Sequence, residues 1–228
     1  MQRKTEGIIL PNSGYKNLIV YKKSDVIYQG TVVFCQRFLP PYGDRTVDQM
    51  TQAARSCKQN IVEGSAGAAT SLETQLRLTN VARASLAELL EDYLDYLKAH
   101  GEMEWGINDT RKNDARDFAR NHAEWDDWKP VLISSPAERF CNLMIVLIQQ
   151  SRYLLEKMLK WQENDFRWHG GVSERMYAVR KEAKTNPNGA IDSILWCASN
   201  PMDLEQRAAS IVNVVQQTVE EIKRTKGW

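Results

Sequence analysis

Apolar residues in this chain recur every three to four positions over stretches of twenty residues and more, and no stretch of any length alternates at every second position. A period near 3.6 gathers apolar side chains on one face of an α-helix, whereas a half-buried strand needs a period of two. The chain is therefore restricted to an all-α fold of long amphipathic helices. The first is carried by Leu18, Tyr21, Val26, Tyr28, Val32, Val33 and Phe38, which predict a helix over 17–38. Pro40-Pro41-Tyr42-Gly43-Asp44 stops it, because proline lacks the N–H donor and disfavours αR in the residue before it. A second helix runs from Thr46 through Ala53, Ala54, Cys57 and Ile61 and is expected to end near Gly64 in a left-handed C′ conformation, with 65–69 as a small-residue hinge.

Thr70-Ser71-Leu72-Glu73 opens the third helix as a capping box between Thr70 and Glu73, worth ~1 kcal/mol. One heptad row then holds Leu72, Thr79, Leu86 and Tyr93, and a second holds Leu76, Arg83, Leu90 and Leu97. So wide an apolar surface packs on more than one partner. Between 102 and 134 the pattern weakens: 109–128 is either a thinly amphipathic helix carrying Phe118, Trp125 and Trp128 or an irregular excursion. Ser135-Pro136-Ala137-Glu138 predicts a capped start for a fourth long helix reaching Glu163, its core face formed by Phe140, Leu143, Leu147, Leu154, Met158 and Trp161. Short connections between long helices imply antiparallel neighbours. The expected architecture is an antiparallel up-down four-helix bundle at 15–164 with an insert at about 102–134. An N-terminal extension, 1–14, precedes it and a helical suffix, 165–228, follows, with helices at 173–183, 190–198 and 201–224.

Composition narrows the function classes. Cys35, Cys57, Cys141 and Cys197 form no CxxC pair and have no nearby histidine, so buried, reduced thiols are expected. Met1 to Glu6 has no apolar stretch behind its charges, and the longest strongly apolar run, Leu143 to Ile148, is too short to span a bilayer. A cytoplasmic, non-membrane protein is expected. None of His100, His122 and His169 sits three residues after a glutamate, which argues against a carboxylate-bridged di-iron centre. No phosphate-loop, nucleophile-elbow or zinc-protease string occurs. No catalytic residue, metal or cofactor is therefore assigned.

Two segments are distinctive: Asn60-Ile61-Val62-Glu63-Gly64, within 49–65, and Ala82-Arg83-Ala84-Ser85-Leu86-Ala87-Glu88, within 79–90. They resemble the signature helices of the intervening-sequence protein family, four-helix bundles encoded by insertions in bacterial 23S ribosomal RNA genes. The stretch from Asp165-Phe166-Arg167-Trp168-His169 to Arg180 is similar to the suffix pattern of one branch. The resemblance implies a non-enzymatic homo-oligomer, commonly a ring-like pentamer. It also implies kinship with the accessory variability determinant of diversity-generating retroelements, a basic pentamer that binds a reverse transcriptase and its RNA. The expected function is thus a self-assembling adaptor for nucleic acid (RNA or DNA), a nucleoprotein enzyme such as a reverse transcriptase, or both. A structural or regulatory homo-oligomer that binds only protein is the alternative.

Net charge is +1, but residues 1–60 carry nine Lys/Arg against four Asp/Glu. Lys22, Lys23, Arg37, Arg45 and Lys58 are the candidates for phosphate contact, set against the ordinary reading of a solvated face. Arg55, Asn60, Glu63, Arg83 and Glu88 sit on otherwise apolar helices. They are expected to form an internal polar network in which an arginine pairs with Glu63 or Glu88 and Asn60 bonds backbone at the end of the second helix. On that reading Glu88→Ala lowers the melting temperature. Trp125, Trp128, Trp161 and Trp168 either fill space between bundle and suffix or stack on bases.

Overall fold

The structure, a computed structural model, describes residues 14–40, 45–67 and 71–170, together with Glu174, Met176, Tyr177, Arg180 and Lys181. The helices expected at 190–198 and 201–224 lie outside the described residues, as does most of 173–183. Gly14–Gly171 forms one compact unit. A 3-10 turn, Tyr15–Asn17, leads into α1 (Ile19–Phe38), followed by α2 (Arg45–Gly67), α3 (Leu72–Ala99), α4 (Thr110–Asn121), α5 (Trp125–Ser134) and α6 (Ala137–His169). The described residues contain no strand, so the fold is all-helical.

The four longest helices touch in a closed ring, α1 on α2, α2 on α3, α3 on α6 and α6 on α1. Along three of these pairs the contacts climb one helix as they descend the other. Phe34 and Phe38 meet Phe140 while Lys23 meets Gln150. Ser56 Oγ lies 2.9 Å from Ser85 Oγ while Gly64 lies against Leu78. Gln162 donates to Thr79 Oγ1 at 3.2 Å while Arg83 pairs with Glu156. At the centre Phe34, fully buried, has the rings of Tyr93, Tyr96, Phe38 and Phe140 within 4.9–5.5 Å. The heptad row Leu72, Thr79, Leu86 and Tyr93 is buried throughout, as its spacing requires.

Several local expectations are corrected. Gly64 does not end α2, which continues to Gly67, into the first residues of the expected hinge; 68–69 lie outside the described residues. A Cβ at Gly64 would sit 3.4 Å from Leu78 Cβ and 3.7 Å from the Gln75 carbonyl oxygen, so the missing side chain serves close helix approach and not a left-handed turn. The N-cap of α3 is Ser71, whose Oγ accepts from Thr74 N at 3.1 Å; Thr70 lies outside the described residues. Ser135 does not cap α6: its hydroxyl turns back to the Val131 carbonyl at 2.7 Å, and α6 starts behind Pro136 without a side-chain cap. The fourth long helix runs past Glu163 to His169, closed by Gly170 at φ 68.

The insert, expected as either one thinly amphipathic helix or an irregular excursion, is two helices broken at 122–124. Phe118 and Trp128 pack edge to face across the break, 5.0 Å apart, and the Trp128 indole N–H donates to the His122 carbonyl at 3.1 Å. α4 lies on α6 and α5 on α1. This explains why every residue from Phe140 to Ile148 is buried: α6 is enclosed on all sides where the insert covers it.

Candidate functional site

The five cations expected to face phosphate do not form a common surface. Lys23 on α1 is buried, with 3% of its surface exposed, and its ammonium donates to the Ala119 carbonyl in the last turn of α4 and to Gln150 Oε1 on α6. Burial pushes its pKa down to about 8. Lys22 pairs with Glu124, between α4 and α5, at 2.6 Å. Arg37 donates to the carbonyls of Leu132 and Ser135 at the end of α5, at 2.9 and 3.1 Å. The carbonyls of a helix's last turn lack intrahelical donors and carry partial negative charge, which is why cations from a neighbouring helix settle there.

Lys58 on α2 pairs with Asp25 on α1 at 2.6 Å and lies over the Tyr28 ring. Burial works against its charge, but the Asp25 hydrogen bond and carboxylate outweigh that and raise its pKa. Arg45, the first residue of α2, is exposed. Lys22, Lys23 and Arg37 are thus fasteners of the insert and Lys58 is a clasp between α1 and α2. Their residue type was legible in the sequence. Their partners, 33 or more residues distant, were not.

The internal polar network is likewise redrawn. Arg55, Glu63 and Glu88 are exposed, and Arg83, half-buried, bonds Asn80 and reaches Glu156 at 3.8 Å. Asn60 donates to the Ser56 carbonyl within α2 at 2.8 Å, short of the helix end. Glu88 instead lines an open groove of about 350 Å³ between α2 and α3, with Asp48, Gln52, Ser56 and Ser85. Farther along α3, burial together with Glu88 and Asp95 holds the Asp92 carboxyl above its usual range.

The tryptophans divide into two groups. Trp128 is fully buried and Trp125 half-buried inside the insert. Trp161, placed on the core face by its spacing, is 54% exposed, and Trp168 is 83% exposed. Gln162, one position on, takes the buried place against Thr79. Positions 153, 157, 160, 161, 164 and 168 lie on one face of α6 at helical spacing. They hold Tyr153, Lys157, Lys160, Trp161, Asn164 and Trp168, all exposed and none of them a carboxylate. The Lys157 ammonium stands 5.3 Å from the Tyr153 ring centroid. Glu156 lies toward α3, where it pairs with Arg83.

Trp105 was passed over in the sequence and proves to be an anchor. It is buried, its N–H donates to Asn142 Oδ1 at 2.7 Å and its indole N–H to Glu138 at 2.8 Å. The signal for it was a polar Asn142 inside the apolar run of α6, which needs a partner when buried.

Among the described residues no group of three or more His, Cys, Asp and Glu side chains is placed to hold a metal ion, and no helix is long and apolar enough to cross a membrane. Burial pushes the Cys57 and Cys141 thiols well above their ordinary pKa. In comparisons with known proteins the chain matches no protein-family model, no curated protein and no solved structure.

Proposed function

We propose that this chain is a non-catalytic adaptor built on an antiparallel four-helix bundle of the intervening-sequence kind that its sequence resembles. It assembles with copies of itself and binds nucleic acid or a nucleoprotein enzyme such as a reverse transcriptase. The ring of contacts among α1, α2, α3 and α6, with their opposed directions, supports the bundle. The observation that carries the binding role is the outer face of α6 from Tyr153 to Trp168, where three exposed aromatic rings, Tyr153, Trp161 and Trp168, share one helix face with Lys157 and Lys160 and none of the positions on that face is a carboxylate. Basic side chains interleaved with open aromatic faces suit a ligand that offers both phosphates and bases.

The test is light scattering coupled to size exclusion of the full chain, with the 260-to-280 nm absorbance ratio followed across the peak. An assembly that carries nucleic acid in low salt and releases it in high salt is the expected result, because displaced counterions make affinity fall steeply with salt. A clean monomer refutes the reading.

A second reading, a homo-oligomer that binds only protein, is favoured by a different observation. Lys22, Lys23, Arg37 and Lys58 are spent on internal contacts, and the α2–α3 groove presents Asp48 and Glu88. An assembly that persists without retaining RNA or DNA at any salt concentration selects it.

A further inference from the structure

Resting on the nucleic-acid reading, we propose that the outer face of α6 is a stacking platform for single-stranded nucleic acid, with Trp161 and Trp168 as its base-binding residues. Both indoles are more than half exposed, an uncommon placement for a side chain this large and apolar. They stand seven residues apart on one face, so roughly 10 Å separates them along the axis, and roughly 22 Å separates Tyr153 from Trp168. That length suits a footprint of about four nucleotides, the short end of the range for strands bound by stacking.

The ligand is single-stranded because a duplex hides the base faces that an indole covers. Lys157 and Lys160 supply positive charge on the same face; of the α6 carboxylates that flank it, Glu156 reaches Arg83 on α3, and Glu163 and Asp165 stand at neighbouring positions off the face. Stacking is tolerant of sequence, since every base has a π-face, so the platform discriminates strandedness and not base identity.

Fluorescence anisotropy of a labelled twelve-nucleotide oligo(dT), an oligo(U) of the same length and a duplex of that length tests this on the full chain. The series compares wild type with Trp161→Ala, Trp168→Ala, Trp161→Phe and Lys157→Gln. These side chains are exposed, and unchanged thermal melts verify that each variant folds. Single strands are expected to bind more tightly than duplex, and each Trp→Ala change to weaken them about five-fold or more. Phe at 161 restores most of the loss, and Lys157→Gln flattens the salt dependence by about 0.7 in log–log slope. Equal or tighter duplex binding overturns the proposal. Single-strand binding that both Trp→Ala variants leave intact also overturns it, placing the site elsewhere and leaving the adaptor reading standing. A wild-type chain that binds none of the three probes removes the nucleic-acid reading along with this site.

Discussion

Lys23 joins charge, burial and the attachment of the insert in one side chain, and its titration can be worked through. Its folded pKa of about 8 stands against an ordinary 10.5. Below pH 8 the folded and unfolded chains both hold the proton, and the cost of burying the ammonium is fully present. Between about 8 and 10.5 the unfolded chain binds more protons than the folded one, so the unfolding free energy rises with pH, by at most ~1.4 kcal/mol per unit. Above 10.5 both are neutral and the rise ends. Integrated from pH 7.5 to 9.5, this one group adds about 2 kcal/mol of stability. Urea unfolding of wild type and Lys23→Met at the two pH values measures it, because other groups cancel in the double difference. Wild type is expected to gain about 2 kcal/mol more than Lys23→Met over that interval. Equal gains in the two proteins would refute the assignment of Lys23 as a buried, desolvated ammonium.

Phe34→Ala removes the ring at the junction of four aromatic neighbours and is expected to cost ~3–5 kcal/mol in denaturant unfolding; a loss under ~1 kcal/mol contradicts the packing described. Arg37→Ala frees the two carbonyls at the end of α5 and is expected to cost about 1–2 kcal/mol, with faster amide exchange in α5 before α1; unchanged exchange there refutes the fastener role. Glu88→Ala, expected from sequence to lower the melting temperature, is now expected to change stability by no more than ~0.5 kcal/mol, since Glu88 is exposed. Cys57 and Cys141, buried and held as thiols, are expected to resist alkylation in native buffer and to react in urea, as read by peptide mapping; native labelling of either contradicts its burial.

What the sequence disclosed follows from how each element earns its stability. α3 was legible because its rows of Leu72, Leu86 and Tyr93 are the cause of its burial. α4 was not, since it is held by small Ala115 and Ala119, by Lys112 reaching Glu104 and the Trp105 carbonyl, and by cations arriving from α1. None of these registers in a window of hydrophobicity. The internal partners of Lys22, Lys23, Arg37 and Lys58 were illegible for a related reason: a lysine meant for phosphate and one meant for a helix-end carbonyl look identical until the carbonyl is located. Trp161 was misassigned because a wide apolar stripe does not say which of two adjacent positions, 161 or 162, the neighbour covers. Here a glutamine took the inner place, since Thr79 offered it a hydrogen bond.

The insert also has a consequence for whatever approaches α6. It closes the outer face over Phe140 to Ile148, and Gln150 of α6 ties that covering down by donating to the Arg116 carbonyl of α4 at 2.8 Å. Beyond this point the face of α6 turned away from α3, from Tyr153 to Trp168, is exposed. On the proposed reading the tie acts as an end-stop on a track: a strand laid along α6 advances toward the insert only so far, which sets its register before any specific contact forms. Lengthening α4 would move the stop and shorten the exposed face without altering Tyr153, Lys157, Lys160, Trp161 or Trp168. The length and the chemistry of the proposed platform thus lie in separate parts of the chain.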